Sequence, residues 1–163
     1  MPYKVSVQGL LPGLLPGLLV GLLPGLLVSL LAAGVVWAQP AASNPRTLYV
    51  LHCAGCHALD ASGVPDKGVP TMRGALGHFL QLPEGRAFLV QVPGVNNAGL
   101  NDEQIALLTN WTVRQFSADT APMGWAPYTA AEVAQARAQR PADVMRRRVE
   151  LVQRLQREGH DLK

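Results

Sequence analysis

Five consecutive residues, Cys53-Ala54-Gly55-Cys56-His57, place two thiols and an imidazole at the spacing used for covalent attachment of one haem. The two thiols lie three positions apart, close to one helical turn, so each can add to one vinyl group of a single porphyrin. The imidazole of His57 follows directly and can donate a nitrogen to the iron. The iron, rather than any side chain, would then carry the redox chemistry.

Three other kinds of site use a Cys-x-x-Cys pair: zinc sites, redox-active dithiols and structural disulfides. A zinc site needs four ligands, but Cys53 and Cys56 are the only cysteines, and the other histidines are scattered at positions 52, 78 and 160. A thioredoxin-like dithiol would follow a strand within a βαβ pattern, and no such pattern surrounds this pair. The histidine after the second cysteine also favours haem attachment.

An apolar run over residues 5–37 predicts export of the chain. Lys4 precedes this run, which ends in Val36-Trp37-Ala38 before Gln39. This pattern predicts a signal peptide over residues 1–38. The alternative is an uncleaved membrane anchor, because the 27 residues from Leu10 to Val36 are enough to span a bilayer. In both cases we expect the remainder in the periplasm, the side of the membrane on which haem is normally attached to such a motif.

The overall charge is small. The formal net charge is +3, and without Lys4 it is +2, from 13 basic and 11 acidic residues. We therefore expect no nucleic-acid partner.

Helix signals dominate the chain after residue 43, and no useful β-alternation occurs, so we expect an all-α fold. Asn44-Pro45 predicts the start of the first helix, which leads into Cys53. Asn101 predicts the start of the closing helix, with Gln104 as its capping-box partner.

Between these two helices the chain is rich in Gly and Pro, which predicts loops with short helices near residues 73–80 and 84–90. Pro93-Gly94 predicts a break. The expected order is a helical domain over residues 44–117, a loop over residues 118–128 and a helical extension over residues 129–160.

Residues 44–117 resemble the class I cytochrome c family. The resemblance rests on the haem motif, on the stretch from Gly68 to Gly77, which is similar to that family's Gly-Pro-x-Leu-x-Gly-x-x-Gly pattern, and on the closing helix with Trp111. It implies a small helical domain around one covalent haem c, with the first and last helices crossing. It also implies an electron carrier rather than an enzyme, working with redox protein partners or within a dehydrogenase or oxidase complex.

The resemblance also assigns roles to single residues. His57 would be the proximal iron ligand, and its second ring nitrogen would donate to a backbone carbonyl, which by resemblance is that of Pro70. Tyr49 and Trp111 would pack at the haem or between the two crossing helices.

The second axial ligand departs from the family pattern. Most members use a methionine in the loop before the closing helix, but here that loop, residues 91–99, contains neither Met nor His. Met123 lies in the loop after the closing helix and could fold back over the haem. Met72 and His78 are further candidates, with core packing and a polar position at the haem rim as their alternative roles. A vacant or water-filled position would instead suit a haem protein that binds or senses a small ligand.

Two helices are expected in the extension. Thr129, with Glu132 three residues later, predicts a capping box for an alanine-rich helix that ends near Gln139. A second helix over residues 142–157 has an apolar side and an arginine-rich side. Its apolar side could dock on a partner subunit, its arginines could meet an acidic redox partner or anionic lipid, or the helix could cover its own domain.

Overall fold

Every regular element of residues 44–162, the part of the chain that the computed structural model describes, is a helix. The elements are α1 (Pro45–His52), α2 (Ala54–His57), α3 (Leu76–Phe79), α4 (Pro83–Leu89), α5 (Pro93–Asn96), α6 (Asp102–Phe116), α7 (Ala130–Ala138) and α8 (Val144–Arg157). A 3-10 turn covers Pro65–Lys67, and an isolated β-bridge joins Val64 to Val69. The all-α prediction is thus confirmed for these residues, whereas the expected leader over residues 1–38 lies outside them.

The two principal helices begin where the sequence predicts. The side-chain oxygen of Asn44 accepts from the Arg46 backbone N–H at 2.9 Å, and Pro45 occupies the first turn. Asn101 and Gln104 form the expected capping box, with reciprocal side-chain to backbone hydrogen bonds of 2.8 and 3.1 Å. Each cap satisfies backbone donors that the helix itself leaves unpaired.

The break predicted at Pro93-Gly94 takes the form of a new helix start. Helix α4 ends at Leu89, and Pro93 occupies the first turn of α5. A proline there loses no helical hydrogen bond, because the first N–H groups of a helix have no partner within it.

Helices α1 and α6 pack on each other through Tyr49. This side chain is only 1% exposed, and its ring centroid lies 5.5 Å from that of Trp111 and 5.1 Å from that of Phe116. The Tyr49 hydroxyl donates to the Ala58 carbonyl oxygen at 2.7 Å. Burial raises the pKa of Tyr49 to about 12, so the hydroxyl remains a neutral donor. The helix crossing is therefore tied directly to the segment that follows the Cys-x-x-Cys-His sequence.

The 118–128 loop and α7 are bound to the preceding helices by polar contacts. Arg86 of α4 forms a bidentate pair with Glu132 of α7, with one N···O distance of 2.9 Å, and its guanidinium lies 4.0 Å above the Tyr128 ring. The Tyr128 hydroxyl donates to the Arg86 carbonyl at 2.7 Å. The expected capping box of α7 is only half formed, since Thr129 accepts from the Glu132 N–H while the carboxylate pairs with Arg86.

The apolar side of α8 covers the chain's own domain. Val144, Leu151 and Leu155 of α8 share a buried cluster with residues of α3, of α4, of the link between them and of the chain end. These residues are Phe79, Leu82, Phe88, Leu89 and Leu162. The arginines face outward, where Arg154 pairs with Glu84 and Glu158 at 2.9 and 3.0 Å. Of the three interpretations of this helix, the covering one is confirmed for Val144, Leu151, Val152 and Leu155, whereas Met145 and Val149 on the same helix are exposed.

The Arg86–Glu132 pair predicts a clear effect on stability. We expect Glu132→Gln to lower the free energy of unfolding by about 1–2 kcal/mol, because a largely buried guanidinium loses its counter-charge. Glu150→Gln is the matched control, since the exposed Arg147–Glu150 pair contributes less than about 0.5 kcal/mol. Urea unfolding followed by circular dichroism measures both, and equal losses would contradict the buried role of Glu132.

Candidate haem-attachment site

The two cysteines lie on one continuous helical turn. The Cys53 N–H donates to the Tyr49 carbonyl at 2.9 Å, and the Cys53 carbonyl accepts from the His57 N–H at 2.9 Å, so hydrogen bonding runs from α1 into α2. Cys53 is half-buried, Cys56 is exposed, and neither forms a disulfide. Both thiols are therefore held about one turn apart next to open surface, as double thioether formation requires.

The inner thiol is protonated at neutral pH. Burial raises the pKa of Cys53 to about 11, and the neighbouring Cys56 adds to the effect. The attacking thiol of a redox-active dithiol has instead a lowered pKa, because the thiolate is the nucleophile. Cys53 is therefore not suited to be the attacking thiol of such a pair.

The imidazole of His57 is held by the carbonyl of Pro70. His57 Nδ1 lies 3.1 Å from the Pro70 carbonyl oxygen, the contact that the resemblance implies. A carbonyl oxygen only accepts, so Nδ1 carries the hydrogen and Nε2 keeps its lone pair. Burial lowers the pKa of His57, and the Pro70 hydrogen bond partly opposes this. A neutral imidazole with a free Nε2 is the form that binds iron.

The loop that carries Pro70 is closed on itself by backbone hydrogen bonds. The Ala61 carbonyl accepts from the Met72 N–H at 2.9 Å and from the Thr71 hydroxyl at 3.2 Å. Ala58 and Ala61 both have φ of +63°, a conformation that side chains other than glycine rarely adopt. Ala58 follows His57 directly, so backbone strain is stored next to the motif.

These residues fit one covalent haem. The porphyrin supplies four nitrogens to the iron, so the protein needs to supply only one or two further ligands. Over residues 44–162 there is no group of three or more His, Cys, Asp or Glu side chains arranged to hold a metal ion by themselves. The site thus offers two accessible thiols and one oriented imidazole, which is the set that a haem uses and a zinc ion does not.

Met123, the first candidate for the second axial position, points into solvent. Its side chain is fully exposed at the tip of a turn, in which the Trp125 N–H donates to the Pro122 carbonyl at 3.1 Å and Gly124 has φ of +69°. The loop is further fixed where Asn110 pairs with both backbone groups of Tyr128, at 2.7 and 3.0 Å. Met123 is therefore not brought toward His57.

Met72 and His78 have other neighbours in the structure. Met72 is half-buried against the core and lies two residues after Pro70, whose carbonyl contacts Nδ1 of His57 and not Nε2, the nitrogen that would bind the iron. The His78 ring lies 5.1 Å from that of His160, and its Nδ1 is buried with no hydrogen-bond partner. Both placements favour roles other than iron ligation.

Some contacts of this region agree with the sequence predictions, and others could not be predicted. Tyr49 and Trp111 were expected at the haem or between helices, and the structure shows both of them in the α1–α6 crossing. The strained Ala58 and the hydrogen bond to its carbonyl left no signal in the sequence, because alanine gives no indication of positive φ. Gly63, by contrast, lies in a Gly/Pro-rich stretch. A glycine there is a sequence signal for a position at which another part of the backbone approaches closely.

A scan against protein-family models and a search of the curated proteins returned no match for this chain. In addition, none of the helices within residues 44–162 is long and apolar enough to cross a membrane. The interpretation of the site therefore rests on the geometry of Cys53, Cys56, His57 and Pro70.

The burial of His78, next to His160, predicts a loss of stability in mild acid. Burial is the main cause that lowers the pKa of His78, and His160 adds to it, while the carboxylates of Asp119 and Asp161 oppose it. Because the unfolded chain then binds the proton more tightly, stability is complete above the ordinary histidine pKa of about 6.5 and falls as the pH drops through it.

We expect the free energy of unfolding to decline from pH 7.5 to pH 5.5 less steeply in His78→Gln than in the natural chain. Urea titrations at fixed ionic strength measure the two slopes. His52→Gln, which changes an exposed histidine, is the matched control. If the natural chain and His78→Gln had the same slope, the lowered pKa of His78 would not be the cause of the acid effect.

Proposed function

We propose that this protein is an exported c-type cytochrome that carries one covalent haem and transfers electrons between redox partners. The observation that supports it most directly is the Nδ1–Pro70 hydrogen bond of 3.1 Å on the histidine that follows the two cysteines. This bond leaves Nε2 as the only ring nitrogen able to bind a metal. A merely structural Cys-x-x-Cys pair has no need of an oriented imidazole beside it.

Each residue of the candidate site has a defined part in this function. Cys53 and Cys56 anchor the group through thioethers, and His57 supplies Nε2 to the iron. Pro70 fixes the tautomer and the ring plane of His57. Tyr49 holds the Ala58 carbonyl at 2.7 Å and so connects the motif to the α1–α6 crossing. The bound haem supplies one-electron oxidation and reduction.

The surface around the motif suits contact with another protein. Cys56 is exposed, and Leu51 and Leu59 on either side of the motif are 70% and 69% exposed. Such apolar side chains beside a redox centre support docking of redox protein partners, or of other subunits of a dehydrogenase or oxidase complex. With the apolar leader over residues 1–38, the proposed location is the periplasm, in soluble form or anchored by residues 5–37.

A second function, binding of a small ligand at the iron, is favoured by the position of the candidate second ligands. Met123 is fully exposed, Met72 packs on the core and His78 contacts His160. No hydrogen bond or ring contact over residues 44–162 links any of the three to His57. An iron with one protein ligand would be open to small molecules on its other side.

Haem attachment predicts different spectra for single and double cysteine variants. In Cys53→Ala or Cys56→Ala one vinyl group stays unsaturated, so the reduced pyridine haemochrome band should move to longer wavelength. The double variant should release its haem into acidified organic solvent. Met123→Leu is the control and should keep the pyridine haemochrome band of the natural chain, because pyridine replaces any axial side chain and both thioethers remain. Protein free of bound pigment in every form would contradict haem attachment.

Carbon monoxide separates the two functions. If a side chain fills the second axial position, the reduced spectrum should not change on exposure to the gas, which supports the electron carrier. Met72→Leu and Met123→Leu would then identify the ligand, since only one of them should lose the weak methionine–iron band. A rapid shift of the main absorption band would instead identify the ligand-binding function and contradict a six-coordinate carrier.

A further inference from the structure

Gly63 lies between the backbone of His57 and the carbonyl group of Pro70. Its N–H donates to the His57 carbonyl oxygen at 2.9 Å, which closes the loop after the motif. A Cβ atom at position 63 would lie 2.6 Å from the carbonyl oxygens of both Val69 and Pro70. Since Cβ atoms do not approach oxygens so closely, a side chain at this position would displace the carbonyl that holds the His57 ring.

The Pro70 carbonyl has little freedom to move away by itself. On one side, Val64 and Val69 exchange two backbone hydrogen bonds of 2.9 and 3.2 Å, which form the isolated β-bridge. On the other side, the Met72 N–H donates to Ala61 at 2.9 Å. A group inserted at position 63 would therefore shift the whole loop and not one peptide alone.

We infer that Gly63 is a positioning residue for His57, because the missing side chain allows the Pro70 carbonyl to approach Nδ1 within 3.1 Å. The inference rests on the proposed function for its effect on the iron. A strong Nδ1–H···O bond makes Nε2 a more basic ligand. More electron donation from the ligand stabilises the oxidised iron and lowers the reduction potential. Gly63 would thus set both the ring plane of His57 and part of the redox potential.

The matched pair Gly63→Ala and Gly68→Ala isolates this effect. Both glycines have positive φ, +67° and +78°, so alanine brings a similar backbone strain at either position. Only at position 63 does the new Cβ meet other atoms, because nothing lies within 4 Å of it at position 68. Any difference between the two variants therefore reports on the Val69 and Pro70 carbonyls that the new Cβ meets, and not on strain.

The test uses the full chain with its haem and has two measurements. Equilibrium redox titration gives the reduction potential, and NMR gives the rate of solvent exchange of the His57 Nδ1 proton. We expect Gly63→Ala to have a higher potential and faster exchange, while Gly68→Ala stays close to the natural chain. Equal values for the two alanine variants would overturn the positioning role of Gly63.

The test still gives a result if Gly63→Ala does not fold or if the protein carries no haem. If Gly63→Ala does not accumulate, Thr71→Val takes its place, since it removes the hydroxyl contact with Ala61 at 3.2 Å while it keeps the side-chain shape. It should then raise the potential and the exchange rate by smaller amounts, and no change would overturn the inference. If even the natural chain carries no haem, the proposed function fails, and proton exchange in the haem-free variants still tests the position of the Pro70 carbonyl.

Discussion

The buried ring of Tyr49 is the contact on which the arrangement of this protein depends. It fills the crossing of α1 and α6 against Trp111 and Phe116, and burial of an aromatic side chain of this size contributes about 2–3 kcal/mol. Its hydroxyl would be costly to bury without a partner, and the Ala58 carbonyl is that partner. Ala58 follows the motif directly, so the Tyr49 side chain joins α1 to α6 and also holds the segment that contains the two cysteines and His57.

The loop after the motif continues this constraint toward the imidazole. Strained alanines at 58 and 61, the close approach at Gly63 and the Val64–Val69 bridge bring the Pro70 carbonyl onto Nδ1 of His57. The C-terminal helices stabilise the other side of the domain, through the Arg86–Glu132 pair and the apolar stripe of α8. A domain of some 75 residues has a small core of its own, and these helices enlarge it.

Local features of the fold could be predicted from the sequence, because capping residues act on backbone groups within a few positions. The caps at Asn44 and Asn101 and the helical character of the whole described range were found where expected.

Contacts between distant residues could not be predicted. Glu132 was assigned to a local capping box, yet its carboxylate pairs with Arg86, 46 residues earlier, because a partly buried guanidinium gains more from it. In the same way nothing near His78 indicates His160, and nothing near Met123 shows that its turn points outward. The Pro70 contact came from family resemblance and not from spacing.

The central claim is that Cys53 and Cys56 hold one haem covalently. The most direct measurement is the mass of the tryptic peptide spanning residues 47–67, which contains both cysteines and His57. The protein should be purified from a periplasmic extract of cells that have a haem-attachment system and digested under reducing conditions. We expect a single species heavier than the bare peptide by the mass of one haem, with no thiol left to alkylate. A bare peptide that takes up two alkyl groups would contradict it.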